Sequence, residues 1–214
     1  MSQPVIILEK VSKAYRHVSV LKNVDAQFER GMIHGIIGRN GSGKTLMLKA
    51  ICGLMPVSSG IIRVNGKTIG INSTIPESIG AIIETPGFLP YYSGYKNLSY
   101  LASLKAKIGK SEIDAAIIRV GLDPKDRKWV GKYSLGMRQR LGIAQAIMEE
   151  PDILLLDEPF NGLDQQGIGE MRNLFSDLRS AGKTILIASH VQEDIDKLCD
   201  TVYEMDAGVL TRIR

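Results

Sequence analysis

Gly38-Arg39-Asn40-Gly41-Ser42-Gly43-Lys44-Thr45 fills every fixed position of the pattern G-x-x-x-x-G-K-[S/T], the spacing with which a polypeptide loop cradles phosphate. Its glycines let the backbone turn amide N–H groups inward as an anion nest. Lys44 has the reach to the β- and γ-phosphates, and the Thr45 hydroxyl is placed to ligate Mg²⁺. The flanks agree with the letters. Met32 to Ile37 reads as a buried strand, and Lys44 to Ile51 reads as a helix whose N-terminus faces the phosphates. All eight residues, Gly38, Arg39, Asn40, Gly41, Ser42, Gly43, Lys44 and Thr45, are expected at a bound nucleotide.

Working outward, 214 residues with 44% hydrophobic content suit one domain with a sizeable core. The net charge of +4 is spread along the chain rather than gathered in a run, which permits nucleic-acid binding without indicating it. Cys52 and Cys199 match no metal spacing and read as buried reduced thiols. No secretory signal is visible from Met1 to Pro4, and no apolar run reaches the roughly 18 residues of a membrane helix.

Val5 to Val11 and Val18 to Phe28 read as strands, and Ile61 to Lys67 as a short strand running into a turn, together an antiparallel β lobe. From Gly87 to about Glu150 the spacing turns helical, with Leu98, Leu101, Leu104 and then Ile113, Ile117, Ile118 as the apolar stripes. Ile153 to Leu156 and Thr184 to Ala188 are continuous apolar runs, as in parallel strands buried on both faces, with a polar helix of about Gln165 to Ala181 between them. The core is expected to be an α/β sandwich, 1–86 with 151–214, around a helical insert at about 87–150 in a single domain. Neither repeats nor linker-like tracts interrupt it.

Ile153 to Asp157 is an apolar strand that ends in two carboxylates. Asp157 is delivered to Mg²⁺ and Glu158 to the neighbourhood of an attacking water, as its general base or orienting group. Tyr133-Ser134-Leu135-Gly136-Met137 opens an amphipathic helix, a start at which a hydroxyl and backbone N–H groups suit phosphate. His190 follows a buried strand at the edge of the sheet where ligands of α/β folds collect.

The order of these elements resembles the ATP-binding subunit of an ABC transporter: phosphate loop, helical insert, Ser-x-Gly, Leu-Leu-Leu-Asp-Glu-Pro, Gly162-Leu163-Asp164, then Ser189-His190. The resemblance covers nearly the whole chain. It implies a P-loop NTPase, RecA-like α/β core with an antiparallel β lobe and a helical signature subdomain, and it implies ATP and Mg²⁺ as ligands. Ser134 and Gly136 would then bind nucleotide held by a second ATPase subunit, with Asp164 at the same site. His190 would be the switch histidine, and Tyr15 would stack on adenine. The family's usual Leu-Ser-Gly-Gly-Gln keeps only Ser134 and Gly136 here.

Glu84 replaces the family's usual glutamine in a loop that reaches the metal and the attacking water, so it is expected as both catalytic and metal-binding. With Tyr-Ser-Leu-Gly-Met, it narrows the resemblance to exporters of bacitracin type and of lantibiotic immunity. The implied assembly is a head-to-tail homodimer on an integral membrane permease, cytoplasmic and peripheral on the inner face of the membrane, with no nucleic acid. The rivals are a soluble ABC-type ATPase working on ribosome or nucleic acid, and a P-loop kinase. Phe88, Tyr91, Tyr92, Tyr95 and Tyr100 are five of twelve aromatic residues within thirteen positions, a density that suggests docking, although some belong to the insert's own core.

Overall fold

In the computed structural model, residues 3–70, 76 and 78–214 are described; Met1 and Ser2, at which the absence of a leader was expected, lie outside them. Strands β1 (Pro4–Tyr15) and β2 (Val18–Glu29) are followed by β3 (Ile33–Ile37), the helix α1 (Lys44–Ile51), β4 (Ser59–Val64), β5 (Lys67–Ile69) and β6 (Ile79–Ile82). Three helices come next, α2 (Gly94–Lys105), α3 (Lys110–Arg119) and α4 (Leu135–Ile147). The chain then alternates β7 (Ile153–Asp157), α5 (Gln165–Ser180), β8 (Thr184–Ser189), α6 (Gln192–Leu198), β9 (Thr201–Asp206) and β10 (Val209–Arg212).

Two sheets result. An antiparallel one runs β2-β1-β4-β5; the other runs β10-β9-β3-β8-β7-β6. In the second, β9, β3, β8, β7 and β6 are parallel neighbours, with β10 antiparallel on the edge. The segment read as one short strand is therefore two, β4 and β5, turned at Asn65-Gly66, where both residues take positive φ (49° and 75°).

Side-chain alternation assigns the two faces. Leu154, Leu156, Ile185 and Ile187 join helices α2 to α5 in one apolar cluster. Ile153, Leu155, Leu186 and Ala188 join α1 and the antiparallel sheet in another. The helical insert thus shares its core with the main sheet. Its stripes are narrower than the sequence pattern suggests: Leu98 is buried but Leu104 is exposed, and Ile113 and Ile117 are buried but Ile118 is exposed. Steps of three fall about 60° short of a full turn each, so a third leucine lies about 120° off the core-facing line. Ile118, one step of about 100° beyond Ile117, faces outward.

The parallel order explains why distant motifs meet. β3, β8, β7 and β6 lie side by side and end at the same edge, so the loops that follow them converge there. Those loops carry residues 38–45, His190, Glu158 and Glu84.

Candidate functional site

The phosphate loop leaves β3 and enters α1 through Gly43, the N-cap, whose φ of 117° is open to glycine and strained for any other residue. With φ of 81° at Gly41, the loop curls so that Lys44 folds back over it, donating to the carbonyls of Gly38 at 2.6 Å and Arg39 at 3.3 Å. The Ser42 hydroxyl is buried with no hydrogen-bond partner. A cavity of about 150 Å³ lies over the loop, lined by residues 40–46, Asp157 and Glu158.

At the end of β7, which β8 separates from β3, Asp157 Oδ2 accepts from the Thr45 hydroxyl at 2.7 Å, while its Oδ1 is buried without a hydrogen-bond partner. Burial pushes the Asp157 carboxyl above its ordinary range, against the pull of the Thr45 hydroxyl and the Glu84 amide. A buried, half-satisfied carboxylate beside a hydroxyl is an oxygen donor set that a hard cation fits, and such an ion would relieve the desolvation.

Glu158 stands between Lys44 and His190. Its Oε1 lies 3.7 Å from Lys44 Nζ, and its Oε2 lies 2.9 Å from His190 Nδ1 and 3.4 Å from the His190 amide N. Glu158 has φ 49°, a left-handed conformation that costs a non-glycine residue on the order of 1 kcal/mol or more. The carbonyl of Glu158 accepts from Gln139 Nε2 of α4 at 3.3 Å. Gln139 escaped the sequence reading, and its signal is a polar side chain at a buried position of an amphipathic helix.

Glu84, also left-handed at φ 61°, is adjacent but turned away. Its backbone N lies 3.5 Å from Asp157 Oδ2, whereas its carboxylate accepts from Lys49 Nζ at 2.6 Å. The expected metal ligand is therefore held by a lysine of α1, a residue on which the sequence reading put no weight. Arg172 is another. It pairs with Asp194, stands 5.9 Å over the Phe160 ring, and so ties the segments after Glu158 and His190 together.

The remaining expected residues lie elsewhere. Ser134 is exposed and caps α4, accepting from the Met137 amide at 3.1 Å. Asp164 caps α5, accepting from the Gly167 amide at 2.8 Å. A Cβ on Gly136 would stand 2.8 Å from the Gly162 carbonyl oxygen, so the Ser134 and Asp164 loops touch where only glycine fits. Among the described residues, no hydrogen bond or ion pair joins Ser134, Gly136 or Asp164 to residues 38–45. Tyr15, at the end of β1, is half exposed, its hydroxyl 3.1 Å from Met55 Sδ and its ring under Lys13 Nζ at 4.8 Å. Cys52 and Cys199 are buried and free, and burial pushes both thiols up to about 12.

A phosphate loop, a hydroxyl–carboxylate pair and a Glu–His pair at the C-terminal edge of a parallel sheet define a P-loop nucleotide-binding protein. Its family is specific: residues 21–161 match the ABC transporter family. The chain is 42% identical to an ABC transporter ATP-binding protein of Bacillus subtilis, YybJ, over 94% of this chain and 92% of that one. It is 43% identical to the bacitracin transport ATP-binding protein BcrA of Enterococcus faecalis, over 96% of this chain and 68% of that one. With the lantibiotic transport ATP-binding protein SrtF of Streptococcus pyogenes it shares 35% identity, over 91% and 84% of the two chains. In fold it superposes on the ATP-binding cassette MJ0796, solved as a dimer in a post-hydrolysis state with ADP and Pi, with a TM-score of 0.88 over 98% and 99% of the chains at 21% identity. The chain belongs to the ABC transporter family, among its ATP-binding subunits.

Proposed function

We propose that the chain hydrolyses Mg²⁺-ATP to drive a bacterial exporter of peptide antibiotics or similar compounds. The observation that carries the ATPase part is the convergence of Thr45, Lys44, Asp157, Glu158 and His190 on one edge of the sheet. The relatives named for bacitracin and lantibiotic transport support the exporter part. Thr45 and Asp157 are the residues that would hold Mg²⁺, which when bound neutralises charge on the β- and γ-phosphates.

The division of labour follows from the geometry. Residues 38–43 present backbone N–H groups to the phosphates, and Lys44 exchanges its bonds to the Gly38 and Arg39 carbonyls for phosphate oxygens. Glu158 takes up the proton of the attacking water or orients it, and Lys44 and His190 hold that carboxylate in place. Tyr15, exposed on the β lobe, stacks on the adenine. Ser134, Gly136 and Asp164 serve nucleotide on a second copy of the chain, and residues 87–150 form the helical signature subdomain.

An integral membrane permease is the implied partner, with the chain peripheral on the cytoplasmic face. Among the described residues no helix is long and apolar enough to cross a membrane. The test is the fate of the γ-phosphate in the purified chain. Release to water is expected, lost with ATP binding in Lys44→Ala. Transfer to an added acceptor would instead mark a kinase.

A further inference from the structure

Glu158 holds a backbone conformation that its own sequence disfavours. Pro159 follows it, and a residue before proline is driven to extended backbone with φ near about −120°. Its φ is 49° instead, in the left-handed region, where a residue with a side chain stays only when its surroundings hold it there. Rotation about N–Cα from one value to the other would swing the side chain around the end of β7, away from Lys44 and His190. The left-handed turn is therefore what aims the carboxylate along the edge that carries the phosphate loop.

Three hydrogen bonds fix this backbone. The Glu158 amide donates to the Ala188 carbonyl at 2.8 Å, and the Glu158 carbonyl accepts from the Asn161 amide at 3.2 Å and from Gln139 Nε2 at 3.3 Å. The first two are supplied by the main chain, through strand pairing and a tight turn. The third is supplied by sequence: among the described residues, Gln139 has the only side chain that hydrogen-bonds the Glu158 backbone. Gln139 is 7% exposed, and a buried amide is costly to desolvate unless its donor is used. The helix that carries it is itself anchored. Arg140, the next residue of α4, donates to the Val120 carbonyl at 2.7 Å and pairs with Glu170 of α5 at 2.7 Å.

We infer that Gln139 is a positioning residue for hydrolysis, its side-chain amide locking the Glu158 peptide in the turn that points the Glu158 carboxylate at the attacking water. The inference rests on the reading of Glu158 as the group that orients that water. Gln139 does not line the cavity over the phosphate loop, so it acts through Glu158 and not on nucleotide. Its loss should lower kcat and leave KM for ATP in place.

The test is steady-state hydrolysis of γ-labelled ATP by the purified chain. Gln139→Met keeps the length of the side chain and removes the donor. Gln139→Asn keeps a buried amide but is one methylene too short to reach the carbonyl. Both should lose about tenfold in kcat, the usual worth of one hydrogen bond, with KM and ATP affinity within roughly twofold of the parent. Gln145→Met, on the same helix and partly buried, should hydrolyse like the parent. Glu158→Gln has no carboxylate left to aim, so adding Gln139→Met to it should slow hydrolysis by less than roughly twofold more. A general loosening of α4 would multiply the two losses instead.

Parent-like kcat in both Gln139 variants would overturn the inference, as would a raised KM with kcat unchanged or losses that multiply in the double variant. Parent-like hydrolysis in Glu158→Gln alone would instead sink the reading of Glu158 itself.

Discussion

Glu84 is the residue whose chemistry the fold changes most. Lys49 lies four positions after Thr45 on α1, hence on the same face of that helix. Thr45, Asp157, Glu84 and Lys49 therefore close a ring: hydroxyl to carboxylate at 2.7 Å, amide to that carboxylate at 3.5 Å, and lysine to Glu84 at 2.6 Å. The Lys49–Glu84 pair is partly exposed, at 27% and 63%, and such pairs contribute at most about 1 kcal/mol. A divalent ion held at Asp157 can compete for Glu84 at that cost, since carboxylate is a stronger hard-cation ligand than amide. Two substitutions should then act in opposite directions. Glu84→Gln should raise, several-fold, the Mg²⁺ concentration for half-maximal ATPase, with the maximal rate within roughly tenfold because Glu158 remains. Lys49→Met frees the carboxylate and should lower that concentration. Superimposable Mg²⁺ titrations of the parent and both variants would reduce Glu84 to an incidental surface acid.

At the scale of elements, one buried histidine fastens the two sheets. His34, on β3, is completely buried, with Nε2 2.9 Å from the Glu29 carbonyl at the end of β2 and Nδ1 2.7 Å from the Thr201 hydroxyl on β9. A carbonyl only accepts, so Nε2 carries the proton and Nδ1 accepts from Thr201. Burial lowers the pKa of His34, outweighing the pull of Glu29 and Asp200. The sign follows: above its ordinary value of about 6.5 both folded and unfolded forms are neutral, and below it the unfolded chain takes a proton that the fold resists. Stability should therefore fall on acidification below about pH 6.5, by up to about 1.4 kcal/mol per pH unit from this group. His34→Gln keeps a donor and an acceptor but cannot titrate. Urea midpoints between neutral and mildly acid pH should drop less for this variant than for the parent, and parallel lines would clear His34.

The same tie marks where the sequence stops being legible. The strands and α1 could be read because apolar runs and a glycine-rich turn are local signals. The direction of a carboxylate is not local. Glu84 faces Lys49 because β6 lies next to β7 and α1 packs across them, and Arg172 reaches Asp194 only once α5 and α6 are laid on the sheet. Gln139 likewise bonds the Glu158 carbonyl through packing of α4, which no spacing encodes.

At the scale of the whole molecule, the proposed reading gives one chain only part of the nucleotide site. Among the described residues Ser134 is exposed and bonded only to its own helix start, and the Gly136–Gly162 contact joins its loop to that of Asp164 as a second surface. A head-to-tail copy would lay this surface over the phosphate loop, and in a closed two-fold pair one sequence serves both sites. ATP should then act as the glue, and blocking its hydrolysis should preserve the pair. If Glu158 orients the water as proposed, Glu158→Gln removes that carboxylate but leaves Lys44, Thr45 and Asp157 to bind, so hydrolysis should fall by about 10²–10⁴ while ATP affinity is retained. With Mg²⁺-ATP this variant should elute from a sizing column as a dimer, and as a monomer without it. Adding Ser134→Asp separates the interface from the fold. Aspartate caps a helix as well as serine does, so α4 and thermal stability should be unaffected, but a carboxylate now faces the partner's γ-phosphate and should repel it. The double variant should stay monomeric under saturating Mg²⁺-ATP; a dimer peak equal to that of Glu158→Gln alone would show that Ser134 meets no phosphate across the interface.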